Sequence, residues 1–212
     1  MAAGDVSERL RAEPGTAQPA RVPGIADPVP VGIAGFGMTT FILSCVNAGF
    51  FGSAASAPIV LGLAIFYGGL VQLLAGMWAF RRGETFVAVA FCSYGGGFWP
   101  SFFFLTYFIA PHLSPSVAGK ATALYLIGWA IFTFYMMIAA LKTSLPVLWV
   151  FITLTATYVL LTLAELGIAT STLLPIGGYV GITCGVIAWY VAFAHVTNAT
   201  FGRELIPTWA LR

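Results

Sequence analysis

The chain has 212 residues, 59% of them apolar and 8% charged, with a mean hydropathy of +0.94 and a formal charge of +2. A soluble domain is about a quarter charged, so a water-exposed globular fold is excluded, and so small and scattered a positive charge excludes nucleic-acid binding. Cys45, Cys92 and Cys184 lie in apolar stretches with no CxxC pair, which argues against a disulfide framework or a zinc site.

Residues 1–27 are polar, rich in Ala, Gly and Pro, and carry no apolar core that a cleavable signal would need. They read as a disordered tail with a short helix near Val6. Six apolar stretches follow, at 32–51, 58–80, 85–110, 121–141, 147–167 and 176–196. Each is close to the roughly 20 residues that cross a bilayer, and residues 28–198 are expected to form one six-helix membrane domain ahead of a tail at 199–212. The breaks carry turn chemistry, among them Arg81-Arg82-Gly83, Pro111 through Lys120, Lys142-Thr143-Ser144 and Thr170 through Pro175. Stretches such as 123–140 are apolar all round, unlike the alternating strands of a membrane β-barrel. The fold class is therefore an all-α membrane protein.

Basic residues set the orientation. With six spans, Arg9, Arg11, Arg21, Arg81, Arg82, Lys142, Arg203 and Arg212 share one side, and the other has only Lys120. That places both termini in the cytoplasm and the chain in the cytoplasmic membrane.

Within the spans, small residues predict close helix contacts. Gly32, Gly35 and Gly37 serve the first span, and Gly62, Gly69 and Gly76, seven apart, predict one seam on the second. The third span holds Ser93-Tyr94-Gly95-Gly96-Gly97-Phe98-Trp99-Pro100. Glycine costs about 1 kcal/mol relative to Ala in a helix and Pro100 removes a backbone donor, so a kink or break is expected there, beside a conducting path.

Polar groups within the spans are mostly neutral: Thr40, Ser44 and Asn47 on one quadrant of the first, Gln72 on the second, Thr153 and Thr157 on the fifth, and His195 on the sixth. No Lys or Arg lies near a span centre, and Glu165 is the only carboxylate within a span, close to its end. A Schiff-base lysine for retinal is missing, and His112 and His195 lie toward opposite faces, which argues against haem. No serine stands in a nucleophile motif with a base in reach. Catalysis and cofactors are not expected, and a pathway lined by neutral donors and rings suits a small polar solute.

The start of the first span, Asp27-Pro28-Val29-Pro30-Val31-Gly32, and Gly35-Phe36-Gly37-Met38-Thr39-Thr40 after it, resemble the NPAPLGL signature and GFGMTT run of the acetate uptake transporter family, which includes bacterial succinate–acetate permeases. Phe66-Tyr67-Gly68-Gly69 with Gln72, Ser93-Tyr94-Gly95, Phe98-Trp99, and Phe201-Gly202-Arg203 with Pro207 extend the resemblance over most of the chain. It implies six helices around a pore in each protomer, a homohexameric ring in the lipid bilayer, and uptake of acetate, with succinate or other short carboxylates in some members. It also implies a hydrophobic constriction, falling here on Phe36, Tyr94 and Leu154, and a specificity position on Ala188. The sequence departs from the signature at Asp27 (Asn in the family), Val29 and Val31, and has an extra glycine before Phe98.

A carboxylic acid with a pKa of about 4.3 is roughly one part in five hundred neutral at pH 7, so the permeant must shed costly anionic hydration. Thr40, Ser44, Asn47, Gln72 and Tyr94 are expected to replace that water, with Asp27, Pro28, Pro30 and Gly32 shaping the mouth and Asp27 capping the first helix. The competing expectation is a hexameric channel for urea, an amide or another small neutral solute.

Overall fold

The computed structural model describes residues 24–50 and 58–211. The expected tail, with the proposed helix near Val6, lies outside these residues up to position 23, as does the break between the first two spans at 51–57. Six helices are long and apolar enough to cross a membrane: α1 Val29–Asn47, α2 Ile59–Arg82, α3 Thr85–His112, α4 Pro115–Ala140, α5 Leu145–Glu165 and α6 Thr170–Phe201.

Proline sets three of the starts. Pro30, Pro115 and Pro146 sit in the first two positions of α1, α4 and α5, where their missing N–H has no helical partner to lose. α2 stops at Gly83, whose φ of 77° closes the helix in the left-handed region. Two expected loops turn out to be helical: α4 begins at Pro115 after Ser114, and α6 begins at Thr170 and runs through Pro175. Hydropathy dates a span from its first apolar run, whereas the backbone starts it where φ and capping allow.

α1 packs along α6, α6 along α5, α5 along α4, and α2 along α3. The α1–α6 contact is made of glycines. A methyl on Gly37 would come within 3.2 Å of the Gly185 carbonyl, and one on Gly185 within 3.0 Å of the Gly37 carbonyl. In a medium where hydrocarbon solvates leucine as well as protein does, this close approach supplies the packing force.

Three wide π turns interrupt the helices, at Phe66–Val71 in α2 and at Ser93–Phe98 and Leu105–Ile109 in α3. The irregular stretch of α3 is thus a widened turn that opens just ahead of Pro100, not a gap in the helix. The carbonyls it displaces are satisfied locally: Ser101 Oγ donates to Gly97 at 2.5 Å and Tyr125 Oη donates to Phe98 at 2.6 Å. The first two π turns pack on each other, since a methyl on Gly95 would meet Leu73 N at 2.5 Å and the Gly69 carbonyl at 2.8 Å.

The seam predicted along α2 is shorter than expected. Gly69 and Gly76 are buried, but Gly62 is exposed with nothing near it. The π turn absorbs an extra residue between them, so seven positions no longer make two full turns.

The segment after α6 is a strap. Asn198 Oδ1 accepts the N–H groups of Leu205 and Ile206 at 2.7 and 2.9 Å, and Tyr190 Oη donates to the Pro207 carbonyl at 2.7 Å. Leu145 N donates to the Trp209 carbonyl and Leu211 N to the Thr143 carbonyl, each at 2.9 Å. Residues of the expected C-terminal tail thus bind the start of α5.

Candidate functional site

Two cavities lie inside the bundle, one above the other. The upper, on the side of the α3–α4 and α5–α6 loops, is about 250 Å³ and is walled by Thr40, Ser44 and Asn47 of α1, Trp99 of α3, and Thr157 and Glu165 of α5. The lower, on the side of the chain termini, is about 60 Å³ and nearly all apolar, with Phe36, Phe91, Tyr94 and Phe151 in its wall and Gln72 as its amide. Leu154 belongs to both walls. Phe36, Tyr94 and Leu154 are 4%, 2% and 3% exposed, and the first two rings stand 5.8 Å apart. Leu154 is thus shared by the two cavities, with Phe36 and Tyr94 beside it in the wall of the lower one.

Tyr94 does not offer its hydroxyl to the conduit. Its Oη lies 2.8 Å from Thr133 Oγ1, and Thr133 spends its own proton on the Trp129 carbonyl at 2.7 Å. Tyr94 must therefore be the donor in that pair, so it contributes a ring and no free O–H to a passing solute. From the sequence the Tyr94 hydroxyl is a hydrogen-bonding group on the path; in the structure its proton is committed to Thr133.

Other side chains are left wanting. Thr40 Oγ1, Gln72 Oε1, Glu84 Oε2, Trp99 Nε1 and Thr162 Oγ1 are buried without a hydrogen-bond partner. Thr40, Gln72 and Trp99 all line the cavities. A buried polar atom left unpaired costs roughly 1–3 kcal/mol, a cost that a polar solute in either cavity would offset. Thr157 and Thr122, by contrast, return their hydroxyls to their own helices at 2.8 and 3.0 Å. Ser44 is buried under Gly181, which it would touch if that residue carried a methyl.

Of the residues singled out in the sequence, Thr40, Ser44 and Asn47 meet in the upper cavity, Phe36, Tyr94 and Gln72 in the lower, and Leu154 in both. Ala188 lines neither. It is fully buried against α1, 3.2 Å from where a methyl on Gly37 would sit, so it sets the α1–α6 spacing beside Phe36. Gly32 leaves room for the Phe91 ring, which a side chain there would push into the lower cavity.

Asp27 is tied down twice. Its Oδ1 accepts Val29 N–H at 3.0 Å, and its Oδ2 lies 3.1 Å from His195 Nδ1 on α6. Pro28 is buried behind it and Pro30 half-buried. Arg82 Nη1 donates to the Ile25 carbonyl at 3.2 Å and its guanidinium pairs with Glu84 at 2.8 Å. Burial raises the Asp27 pKa, but the His195 and Val29 hydrogen bonds and the His195 and Arg82 charges outweigh it, and the net shift is below 3.8.

Sequence reasoning missed Trp99 as a donor, Thr133 as the partner of Tyr94, and the Asp27–His195 pair. Trp99 was legible as the residue before Pro100 in an irregular turn; the two pairings join helices far apart in sequence and left no local signal. Among the described residues, no three His, Cys, Asp or Glu side chains stand together as a metal site.

Known proteins resemble this chain in sequence and fold. The chain is 36% identical over 185 residues to the succinate-acetate/proton symporter SatP of Escherichia coli, covering 86% of this chain and 95% of that one. It is 33% identical over 209 residues to acetate permease A of Emericella nidulans (92% and 70% covered) and 38% identical over 208 residues to ammonia transport outward protein 2 of Saccharomyces cerevisiae (93% and 71%). Among solved structures, that of the bacterial acetate channel SatP superposes with a TM-score of 0.78 at 34% identity, covering 87% of this chain and 99% of the other. The model of the GPR1/FUN34/yaaH family matches residues 10–211, and this multi-pass membrane protein belongs to that family.

Proposed function

We propose that this protein conducts acetate, and other short carboxylates less readily, across the cytoplasmic membrane, with both termini inside and the upper cavity open to the outside. The observation that carries this is Leu154, which lines both a larger cavity with polar groups in its wall and a smaller, nearly all-apolar one, and with Phe36 and Tyr94 makes the septum between them. A carboxylate exchanges water for Thr40, Ser44 and Asn47 above, passes its methyl through the ring of Phe36, Tyr94 and Leu154, and meets the Gln72 amide below. The septum is apolar and narrow, so it rejects ions that keep their hydration shells. Similarity to proteins named for acetate transport supports the substrate, and the homohexamer is proposed on the same likeness.

Among the described residues, no carboxylate or imidazole bridges the septum, since Asp27 and His195 lie at one end and Glu165 at the other. Channel-like passage, with any proton travelling on the acid itself, suits that layout better than a relay. The nearly uncharged lining also suits a small neutral solute, and the relative named for ammonia transport keeps that reading in view. Vesicles containing purified protein should take up labelled acetate faster than empty ones and faster than labelled urea or methylamine. An inward proton gradient should accelerate the initial uptake of labelled acetate in symport and leave it unchanged where the anion passes through a channel. Equal urea and acetate fluxes would overturn the carboxylate reading.

A further inference from the structure

The upper cavity has more structure than a vestibule needs. Thr40 stands four positions beyond the septum residue Phe36 on α1, about 6 Å along the axis at 1.5 Å per residue, and Trp99 stands just past the π turn that begins at Ser93 and carries Tyr94 on α3. Thr40 is 5% and Trp99 2% exposed, and Thr40 Oγ1 and Trp99 Nε1 are unpaired. Trp99 Nε1 is a donor only, so the partner it lacks is an acceptor. Glu165 stands eleven positions beyond Leu154 on α5, about 16 Å along the axis. It closes α5 at the exposed rim, and the cavity wall contains no Lys or Arg to offset it.

We infer that the upper cavity is a binding site for one carboxylate: Thr40 and Trp99 take the head group at the floor, and Glu165 at the rim disfavours a second negative charge. This deepens the conduction reading above and rests on it. About 10 Å of axial distance separates Thr40 from Glu165. The far carboxylate of a four-carbon diacid held at the floor would enter that gap, within the roughly 10 Å over which charges interact at 0.1 M salt. A monoacid of the same length places a methyl there instead. The site thus ranks acids by charge at constant chain length, a discrimination that the apolar septum, which reads width, does not supply.

The test uses the full chain in vesicles, with labelled acetate influx from the upper-cavity side at pH 7 competed by unlabelled butyrate or succinate. Replacing Glu165 by Gln should lower the inhibition constant of succinate by about three- to tenfold at low ionic strength, leave that of butyrate within about twofold, and lose this difference in about 0.5 M salt. Trp99→Phe, which keeps a ring and removes the N–H, should raise both constants together by about tenfold. Should Trp99→Phe fold poorly, the rim variant still decides. Equal changes for the two competitors in E165Q, or a difference that survives high salt, would overturn the inference. Absence of acetate influx in the unaltered protein would instead overturn the conduction reading itself.

Discussion

The hydroxyl of Tyr94 donates to Thr133 across the α3–α4 interface, and Thr133 passes its own proton to the Trp129 carbonyl. The septum ring is thereby fixed by a partner, Thr133, that lines neither cavity.

If the ring is the working part of Tyr94, Tyr94→Phe should keep acetate influx within about twofold and lose about 1 kcal/mol of stability, the net value of one buried hydrogen bond. Thermal unfolding in detergent and vesicle flux measure the two separately. A tenfold loss of flux with unchanged stability would assign the hydroxyl to the solute after all.

Leu154→Ala should merge the cavities. The cost in stability is about 2–5 kcal/mol, the range for removing a buried leucine side chain. Flux of butyrate relative to acetate should rise several-fold, because width at this point is set by that side chain. Unchanged relative rates would place the selective constriction elsewhere.

The glycines of α2 and α3 divide into two kinds. Gly95→Ala drives a methyl against Leu73 N and the Gly69 carbonyl, backbone atoms that cannot step aside, and should cost more than about 2 kcal/mol. Gly62→Ala meets nothing and should be neutral or stabilising by about 0.5–1 kcal/mol. Unfolding midpoints of the two variants should bracket that of the unaltered protein.

Asp27 gives a pH signature. Its folded pKa lies below the ordinary 3.8, so its contribution to stability is complete above that value and is lost as pH falls through the folded pKa. His195→Ala removes a main lowering influence and leaves the burial, so the Asp27 carboxyl should titrate at higher pH, visible by carbon NMR of labelled Asp. The pair is about a third exposed on each side, and its coupling energy should be no more than about 1 kcal/mol.

Much of this was readable from the residues. Six spans followed from composition and turn chemistry, and the disturbance at Ser93–Phe98 followed from three glycines ahead of Pro100. The π turn at Phe66–Val71 was not readable, because a widened turn leaves no distinctive residue, and it took Gly62 out of the expected seam. Thr40, Ser44 and Asn47 shared a quadrant on paper and share a cavity in the molecule, since α1 is an unbroken helix whose 3.6-residue period holds throughout. Ala188 was placed by counting along a uniform apolar run, where nothing distinguishes a cavity wall from the next helix face.

The strap after α6 couples two parts of the molecule mechanically. Through Leu145 and Thr143 it is bonded to the foot of α5, the helix that carries Leu154 at mid-height, and through Tyr190 and Asn198 to α6. Residues 205–211 act as a splint across both helix feet, so a nick or a bulky fusion near Gly202 would loosen α5 from below and change the aperture from a site outside the lipid.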